Sequence, residues 1–422
     1  MEKFIINGGK QLSGSVKICG AKNSALALIP AALLNTGNNT ITNTPVVNDI
    51  FTMIKLLSSL GVKTDFENEK LKLDSSAITS QTAPYEHVKK MRASVYVLGP
   101  LLSRYGFAKV SLPGGCAWGP RPVNLHLEAM KKLGAEIELE GGYIIASAKR
   151  LKGTEIHFDI SSVGATGNTL MAAVLAKGTT VISNAAMEPE ITQLAEYLVS
   201  MGAKIDGIGS SILTIEGVDD LSPANIEVIG DRIEAGTMLA AGAITKSKIS
   251  ILYKEHSHLN AVLHKFEEAG AKIRKEKDAL IEIDARNLEI LPVDITTSIY
   301  PGFPTDMQAQ WMTYMTVASG TSAVTDTVYH DRFNHVPELI RLGADIEVRD
   351  NSAIVKGVAT LKGAKVMSTD LRASACLVLA GLIAKGTTEV LRIYHIDRGY
   401  SKIEEKLSSL GADIQRVEGA EF

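Results

Sequence analysis

A short phrase of the form Gly-Ala-x-Ile, or a close variant of it, recurs along the whole chain. Its six copies begin at glycines that lie 73, 68, 68, 73 and 68 residues apart, namely Gly61, Gly134, Gly202, Gly270, Gly343 and Gly411. A fixed period of this kind is typical of repeat architectures, and chance does not give six such copies. The sequence therefore predicts a sixfold internal repeat of roughly 70 residues.

Hydrophobic periodicity indicates what each repeat contains. An amphipathic helix such as VPELIRLGA ends at the repeat glycine, the residue expected in a left-handed helix cap, and strands follow it. A strand such as GTTVISNA precedes this helix, and an apolar helix such as RASACLVLAGLIA comes before that strand. We predict an α/β fold of βαβαββ units, with three apolar helices packed together inside each half because they have hardly any polar face.

The two chain ends predict how the repeats group into domains. The last copy stops at GADIQRVEGAEF, while residues 1–21 carry strands but no copy of their own, so this segment should complete the C-terminal half. We expect a continuous domain, residues 22–229, that carries a cysteine loop, and a discontinuous domain, residues 1–21 and 230–422, with three repeats each. A chain that crosses twice between domains permits hinge closure.

Charge and hydropathy limit the partners of the protein. The net charge is −3 over 422 residues, which argues against a general nucleic-acid binder. There is no apolar run long enough for a signal peptide or a membrane-spanning helix, so we expect a cytoplasmic protein with no membrane partner. Sequence signatures for nucleoside-triphosphate hydrolysis, dinucleotide binding and zinc chemistry are absent. The sequence carries no signal for the oligomeric state.

The three cysteines have different surroundings. Their odd number and their spacing indicate neither a disulfide framework nor a zinc site. Cys376 lies in an apolar helix and Cys19 closes a strand, so both are expected to be structural. Cys116 lies in LPGGCAWGPRP, residues 112–122, where glycines and prolines predict a surface loop and therefore an exposed thiol.

Polar and basic residues collect where the apolar helices start. A helix N-terminus carries partial positive charge, so lysine or arginine there is unfavourable for stability and favourable for holding an anion. We predict that several of these starts face one anion-binding cleft, although any single one could be a solvated surface charge. The residues are Lys22 and Asn23, Arg92, Ser161 to Thr166, Asp231 and Arg232, Thr305 and Asp306, and Asp370 and Arg372, with Arg121 and Arg398 in loops.

Some of these residues have a structural alternative. Asp306, Asp231 and Asp370 could each be a plain helix cap, a role that aspartate often fills. His126 is at helical spacing from apolar neighbours, and we predict that it is packed in the core rather than catalytic.

Eight segments together carry a resemblance to a known family. They are GAKN (20–23), LPGGCxxGxRPVxLH (112–126), SVGAT (162–166), NAAxEPEI (184–191), FPTDMQAQ (303–310), RFxHVPEL (332–339), TDLRASA (369–375) and RIYHIDRGY (392–400). From Phe4 to about Gln415 the sequence closely resembles the enolpyruvyl transferases, and within them the members that act on UDP-N-acetylglucosamine. The family fold is a pair of inside-out α/β barrels, in agreement with the repeat count.

The resemblance implies a reaction and its partners. The enolpyruvyl group of phosphoenolpyruvate would pass to the 3'-hydroxyl of UDP-N-acetylglucosamine with release of phosphate, the first committed step of peptidoglycan precursor synthesis, without metal or organic cofactor. One alternative is transfer to shikimate 3-phosphate on the same fold, against which the LPGGC and NAAxEPEI segments argue. The other is a non-catalytic UDP-sugar-binding protein, against which Cys116, Lys22, Asp306 and Arg398 argue.

The resemblance also implies roles for the residues around phosphoenolpyruvate. Cys116 would deliver a proton to the methylene carbon and could form an adduct at the neighbouring carbon, so the epoxide fosfomycin should alkylate it. Lys22 would bridge the two domains. The phosphate group of phosphoenolpyruvate would be contacted by Lys22, Arg121 and Arg398. Its carboxylate would be contacted by Arg332 and Arg372.

A second group of residues would hold the sugar nucleotide. Asn23 and Asp306 would face the attacking hydroxyl, with Asp306 as the general base, and Val328 would lie on the acetamido side. The UDP portion would be held by Arg92, Arg121, Pro122, Val123, Asn124, Leu125, Ser162, Val163 and Gly164.

Three residues depart from the usual family pattern. Trp118 is bulky where small or aliphatic residues are usual, Asn124 replaces a common aspartate, and Gly167 is an extra glycine early in its helix. We expect them to affect loop mobility and uridine contacts but not the reaction class.

Overall fold

The structure is a computed structural model that describes residues 2–89, 91–112, 123–276 and 279–418. The chain divides into two compact units: unit A is Gly20–Ile229, and unit B is Met1–Cys19 with Gly230–Phe422. Within the described residues each unit contains three four-stranded sheets and three copies of the repeat. Unit B begins with the two N-terminal strands, β1 (Glu2–Asn7) and β2 (Ser13–Lys17).

Unit A holds the first three repeats. The first comprises α1 (Lys22–Ala31), β3 (Asn38–Thr42), α2 (Asn48–Ser59), β4 (Lys63–Glu67) and β5 (Lys70–Asp74), with a 3₁₀ helix at Ala32–Leu34. The second comprises β6 (Thr82–Ala83), α3 (Tyr85–Val88), α4 (Leu98–Tyr105), β7 (Phe107–Ser111), α5 (Asn124–Lys132), β8 (Glu136–Glu140) and β9 (Tyr143–Ser147), with a 3₁₀ helix at Arg92–Val97. The third comprises β10 (Glu155–His157), α6 (Val163–Ala173), β11 (Thr179–Ser183), α7 (Pro189–Ser200), β12 (Lys204–Asp206) and β13 (Ile212–Glu216), followed by β14 (Asn225–Glu227).

Unit B holds the other three repeats. The fourth comprises α8 (Arg232–Ile244), β15 (Lys248–Leu252), α9 (Asn260–Glu268), β16 (Lys272–Lys275) and β17 (Leu280–Asp284), with a 3₁₀ helix at His256–Leu259. The fifth comprises β18 (Ile295–Thr297), α10 (Gln308–Met315), β19 (Thr321–Asp326), α11 (Val336–Arg341), β20 (Asp345–Arg349) and β21 (Ser352–Lys356), with a 3₁₀ helix at Thr305–Met307. The sixth comprises β22 (Lys365–Met367), α12 (Leu371–Ile383), β23 (Thr387–Leu391), α13 (Ile403–Ser409) and β24 (Asp413–Glu418), with a 3₁₀ helix at Ile393–Arg398.

The sheets follow one plan and close each unit differently. In β10-β11-β13-β12 the first two strands are parallel and the other pairs antiparallel, and the other five sheets follow the same order. In unit A the last strand, β14, returns to lie parallel to β3 of the first repeat. In unit B the N-terminal strands complete the sheets. β1 lies between β23 and β24, and β2 pairs with β15. The N-terminal segment thus supplies strands to two sheets whose other strands come from the C-terminal half of the chain.

The repeat glycines end the six amphipathic helices as predicted. All six have positive φ, between 93° at Gly134 and 107° at Gly202, where a side chain would be strained. After α2, the N–H groups of Gly61 and Val62 donate to the carbonyls of Ser58 and Leu57 at 3.1 Å each, the Schellman pattern, and the other five helices end in the same way. The glycine is therefore required by the backbone, and the residue that follows it turns into the next strand.

The apolar helices form the centre of each unit. In unit B, α8, α10 and α12 contact one another and pack against the inner faces of β15, β19 and β23. In unit A, α4 packs on α6, and the 3₁₀ helix Arg92–Val97 contacts both α1 and α6. The sheets thus lie outside the buried helices, which confirms the predicted inside-out α/β arrangement. Cys376, on α12, is fully buried, whereas Cys19 lies beyond the end of β2 and is half-buried.

None of the helices in the described part of the chain is both long enough and apolar enough to span a bilayer.

Candidate active site

A carboxylate held by two arginines lies at the starts of two buried helices in unit B. Asp306, in the 3₁₀ turn before α10, has one oxygen 2.8 Å from Nη2 of Arg332 and the other 2.7 Å from Nη2 of Arg372. Burial alone would raise the pKa of Asp306, but the charges of Arg372 and Arg332 hold that pKa well below its usual value. Asp306 is therefore ionised at neutral pH.

Both arginines are fixed on their other side by hydroxyl groups. Nη1 of Arg332 donates to Oγ1 of Thr305 at 2.9 Å, and Nη1 of Arg372 donates to the hydroxyl of Tyr400 at 3.1 Å. The Tyr400 hydroxyl lies 2.9 Å from Oγ1 of Thr237 on α8. Proximity to Asp306 raises the pKa of Arg372 although burial lowers it. The two guanidinium groups are thus held as a fixed pair.

Asp326, at the end of β19, organises the loop that carries these groups. Its Oδ2 accepts a hydrogen bond from Thr305 at 2.6 Å, and its Oδ1 accepts from Thr297 at 2.7 Å. The same Oδ1 accepts from the backbone N–H groups of Val328 at 3.0 Å and Tyr329 at 2.9 Å. Asp326 therefore connects the turn that bears Asp306 with the loop that leads to Arg332, and it fixes the backbone of Val328.

The capping alternative holds for two of the three aspartates. Asp231 accepts from the N–H groups of Ile233 and Glu234 at the start of α8, and Asp370 accepts from those of Arg372 and Ala373 at the start of α12. For Asp306 the alternative is wrong: no side chain caps its 3₁₀ turn, whose N-cap residue is Pro304, and the carboxylate turns to the arginines. Charge attraction from two guanidinium groups outweighs a local cap here.

Two further residues come from the sequence segments that supply this cluster. His335 belongs to the segment that contains Arg332, and Arg398 belongs to the segment that contains Tyr400. Arg398 ends the 3₁₀ helix Ile393–Arg398, which packs on α12, and it is half-buried. His335 is buried just before α11, and burial together with the charge of Arg332 lowers its pKa to about 3. His335 is therefore neutral near pH 7 and adds no charge to the arginine pair.

In unit A the basic residue at the start of α1 is buried against an acid. Lys22 is the first residue of α1, and its Nζ lies 3.2 Å from Oδ2 of Asp49 in the first turn of α2. Its N-cap residue, Ala21, offers no side-chain oxygen to the helix N–H groups. The sequence predicted a basic residue at this helix start, and helix N–H groups without a side-chain cap favour an anion there.

A second group in unit A surrounds the start of α6. His126 is buried, as predicted, and Asn168 donates to its Nδ1 at 3.0 Å while the Asn168 oxygen accepts from the N–H of Gly99 at 2.7 Å. A Cβ atom added to Gly164 would come within 3.1 Å of Nε2 of His126. Burial and the charge of Arg92 lower the pKa of His126 to about 4. The structure therefore brings His126 and Gly164 together, with a neutral imidazole whose proton is on Nε2.

The other predicted residues of unit A lie at the same helix starts. Ser162 caps α6, its hydroxyl accepting from the N–H of Ala165 at 3.3 Å. The remaining predicted substrate-binding residues of unit A that the structure describes are exposed or half-buried, namely Asn23, Arg92, Val123, Asn124, Leu125, Val163 and Gly164. Cys116, Trp118, Arg121 and Pro122 lie outside the described residues.

Two residues of the cluster in unit B had no role in the sequence prediction. Tyr400 is the last residue of the RIYHIDRGY segment, which carries the family resemblance, so that segment was the signal by which a site role for Tyr400 could have been found. Asp326 gave a weaker signal, an acid at the end of a strand two residues before Val328. Gly167, noted as a departure, is explained by packing: a Cβ there would meet Cε1 of Tyr96 at 2.9 Å.

Comparison with known proteins points to one family. The family described as EPSP synthase (3-phosphoshikimate 1-carboxyvinyltransferase) matches residues 6–407. Curated relatives named UDP-N-acetylglucosamine 1-carboxyvinyltransferase include that of Chloroherpeton thalassium, 59% identical over 100% of this chain and 99% of its own, and that of Prosthecochloris aestuarii, 58% identical over the full length of both.

Solved structures give the same picture of the fold. The enolpyruvyl transferase NikO from Streptomyces tendae aligns over 99% of both chains with a TM-score of 0.89 and 25% identity. The EPSP synthase of Acinetobacter baumannii aligns over 99% of this chain and 100% of its own with a TM-score of 0.76 and 17% identity, which shows the shared fold. With its six repeats, its basic helix starts and these full-length relatives, the chain belongs to the EPSP synthase family of enolpyruvyl transferases.

Proposed function

We propose that this protein transfers the enolpyruvyl group of phosphoenolpyruvate to the 3'-hydroxyl of UDP-N-acetylglucosamine and releases phosphate. The observation that carries the proposal is the carboxylate of Asp306 between two fixed guanidinium groups, Arg332 and Arg372, in a chain whose full-length relatives bear that activity in their name. These relatives favour UDP-N-acetylglucosamine over shikimate 3-phosphate as the acceptor. A cytoplasmic location and the opening step of peptidoglycan precursor synthesis belong to the same proposal.

The proposed roles follow from charge and geometry. Phosphoenolpyruvate carries a carboxylate and a phosphate, and planar guanidinium groups suit both. Arg332 and Arg372 would bind the carboxylate, because their Nη2 atoms already converge on a carboxylate in this structure. The phosphate would be held by Lys22, Arg121 and Arg398.

The chemistry would proceed by addition and elimination. The 3'-hydroxyl oxygen would attack C2 of phosphoenolpyruvate while Asp306 accepts the hydroxyl proton, Asn23 would face the same hydroxyl, and Cys116 would supply a proton to C3. Loss of a C3 proton then re-forms the double bond as the bond between C2 and the phosphate oxygen breaks. The Cys116 thiolate would take back the C3 proton, and the proton on Asp306 would leave with the phosphate, so the enzyme ends unchanged.

The sugar nucleotide would be bound by the helix starts of unit A. The start of α6, from its N-cap residue Ser162 to Gly164, would offer backbone N–H groups to the UDP portion, together with Arg92 and the segment from Arg121 to Leu125. Val328 would contact the acetamido group, since Asp326 fixes its backbone.

A phosphate-release assay tests this function. We expect release from phosphoenolpyruvate that depends on UDP-N-acetylglucosamine and is absent with shikimate 3-phosphate. Release with shikimate 3-phosphate alone would identify the other branch of the family, and binding of UDP-N-acetylglucosamine without release of phosphate would identify a non-catalytic relative.

A further inference from the structure

The arginine pair of unit B already holds a carboxylate that belongs to the protein. Asp306 receives one hydrogen-bonding nitrogen from each arginine, at 2.8 Å from Arg332 and 2.7 Å from Arg372. The Asp306 side chain is 24% exposed, whereas those of Arg332 and Arg372 are 8% and 6% exposed. The acid is thus the most accessible of the three groups, and it occupies the Nη2 donors that a substrate carboxylate would need.

The two guanidinium groups have a fixed spacing that does not depend on Asp306. Thr305 holds Arg332 and is itself held by Asp326, while Tyr400 holds Arg372 and contacts Thr237. Removal of the Asp306 carboxylate would therefore leave both Nη2 atoms directed at one position. That position is preformed for a carboxylate, whichever molecule supplies it.

We propose that Asp306 is an internal occupant of the substrate-carboxylate position, and that the carboxylate of phosphoenolpyruvate exchanges with it on Arg332 and Arg372. The proposal rests on the proposed function, since that function makes phosphoenolpyruvate the incoming anion. Exchange replaces one carboxylate by another on the same donors, so the charge of the arginine pair stays compensated. Asp306 then leaves the pair and becomes available to the sugar hydroxyl.

The exchange gives a reason why the general base works only in the filled site. An aspartate held by two guanidinium groups is a poor base, and the pKa of Asp306 is well below its usual value in this structure. Loss of both ion pairs on substrate binding would raise that pKa toward its ordinary range. The base is thus released by the molecule whose carbon the sugar oxygen attacks.

Protonation does not drive this exchange near neutral pH. Other ionisable groups lie close to the cluster of Asp306 and its two arginines. Tyr400 and Asp231 act on Arg372, Asp370 lies at the start of the same helix as Arg372, and His335 is near Arg332. The pKa of His335 is lowered to about 3 and that of Tyr400 is raised, so neither changes charge near pH 7. The incoming carboxylate itself must displace Asp306.

Anion affinity tests the exchange without any measurement of turnover. Oxalate and phosphoenolpyruvate would be titrated calorimetrically into the full-length protein and into Asp306→Asn and Asp306→Ala. Because an internal competitor is removed, we expect both variants to bind oxalate about tenfold tighter than the wild type, within the usual range of coupling between two binding events. The gain should disappear when Arg372→Gln is added to Asp306→Asn.

A matched variant shows whether a gain in anion affinity comes from removal of the competing Asp306 carboxylate or from the loss of any negative charge nearby. Asp370→Asn removes a carboxylate next to Arg372 in sequence but keeps the cap of α12, because asparagine caps as well as aspartate. We expect it to change oxalate affinity little. Equal oxalate affinity in the wild type and the Asp306 variants, or an equal gain in Asp370→Asn, would overturn the proposal.

A structure of the wild-type protein with oxalate gives a second measurement that needs no variant. The exchange predicts that oxalate lies on both guanidinium groups and that Asp306 has moved beyond hydrogen-bonding distance of them. An Asp306 that keeps both ion pairs beside the bound anion would overturn it. If oxalate follows the expected order while phosphoenolpyruvate binds to no form of the protein, Asp306 still occupies a carboxylate position, but the exchange with phosphoenolpyruvate fails together with the proposed function.

Discussion

Unit A and unit B contain the same repeat three times each, yet the charged clusters at Lys22 and at Asp306 are built in opposite ways. In unit A a single cation, Lys22, is buried against Asp49 at the starts of two helices. In unit B a single anion, Asp306, is held between two arginines. The amphipathic helices, in contrast, end in the same glycine caps in all six repeats. The scaffold is therefore constant, and the chemistry varies at the helix starts.

The units also differ in how their sheets are completed. Unit A uses its own β14, whereas unit B needs β1 and β2 from the far end of the chain. Phe4 and Ile6 of β1 are fully buried in the core of unit B. Unit A should therefore be able to fold from one continuous stretch, and unit B should not.

Separate expression of the units is expected to give the largest effect. A fragment of residues 20–229 should fold and unfold cooperatively, while residues 230–418 should not, because the sheet β22-β23-β1-β24 loses an inner strand. Burial of large apolar side chains such as Phe4 contributes about 1.5–3 kcal/mol each. Far-UV circular dichroism with thermal unfolding measures both fragments.

The register of β1 supplies the control for this experiment. Glu2 pairs with Glu418, so an Asn-Gly turn can join the end of β24 to the start of β1 as a hairpin. A fragment that runs from 230 to 418, through the turn, and then from 2 to 19 should recover cooperative unfolding. Cooperative folding of residues 230–418 without this addition would break the comparison between the units.

The second prediction concerns turnover by Asp306→Asn. A general base contributes roughly 100- to 10,000-fold to the rate, so steady-state phosphate release should fall by about that factor. Loss of two ion pairs should also lower the melting temperature, so turnover is measured where circular dichroism shows the variant to be folded. UDP-N-acetylglucosamine binding should be mostly intact.

Asp370→Asn is the control for turnover as well, since it replaces one capping aspartate at a neighbouring helix start. It should keep near-normal phosphate release. If Asp306→Asn retained more than about a tenth of wild-type turnover, Asp306 would be a positioning residue and the base would lie elsewhere.

The sequence alone carried most of the scaffold and less of the site. Gly61 and its five counterparts fixed the repeat because a Schellman cap requires glycine, a local requirement that a sequence displays. The burial of α8, α10 and α12 followed from their apolar faces. The pairing of Asp306 with Arg332 and Arg372 joins residues 26 and 66 positions apart in the chain. No local pattern shows that an aspartate at a helix start turns away from a cap toward distant arginines.

Acid stability offers a third test, in which the two units should behave alike. His126 of unit A and His335 of unit B have folded-state pKa values lowered to about 4 and about 3 from an ordinary 6.5. When folding lowers the pKa of a histidine, the unfolded state binds the proton more readily than the folded state. The contribution of such a histidine to stability is therefore complete above its ordinary pKa and is lost as the pH falls below that value. Between about pH 7 and pH 5 each histidine should therefore cost about 2 kcal/mol of unfolding free energy.

Urea unfolding at the two pH values measures this loss. His126→Gln and His335→Gln should each reduce the difference in unfolding free energy between the two pH values. Asp306 does not contribute in this window, because its lowered pKa affects stability below the ordinary value of 3.8. An unchanged pH dependence in either variant would show that the histidine of that unit does not control acid stability.

The smallest expected effect compares two glycines inside buried helices, one in each unit. A Cβ atom at Gly167 of α6 would lie 2.9 Å from Cε1 of Tyr96, 3.2 Å from Cδ1 of Ile191 and 3.3 Å from Cδ2 of Leu194. At Gly236 of α8 the Cβ would meet Cε and Sδ of Met307, both at 2.9 Å. The Tyr96 ring is buried and cannot move aside, whereas the Met307 thioether has several rotatable bonds.

Alanine substitution should therefore destabilise the protein at Gly167 and not at Gly236. Alanine favours a helix over glycine by about 1 kcal/mol, and this gain applies to both helices. Overpacking against a rigid ring costs about 1–3 kcal/mol, so Gly167→Ala should lower the unfolding free energy by about 1 kcal/mol or more. Gly236→Ala should leave it unchanged or raise it, because Met307 can adopt another rotamer. Urea unfolding of both variants measures the difference, and equal destabilisation would mean that the core around Met307 is as rigid as the core around Tyr96.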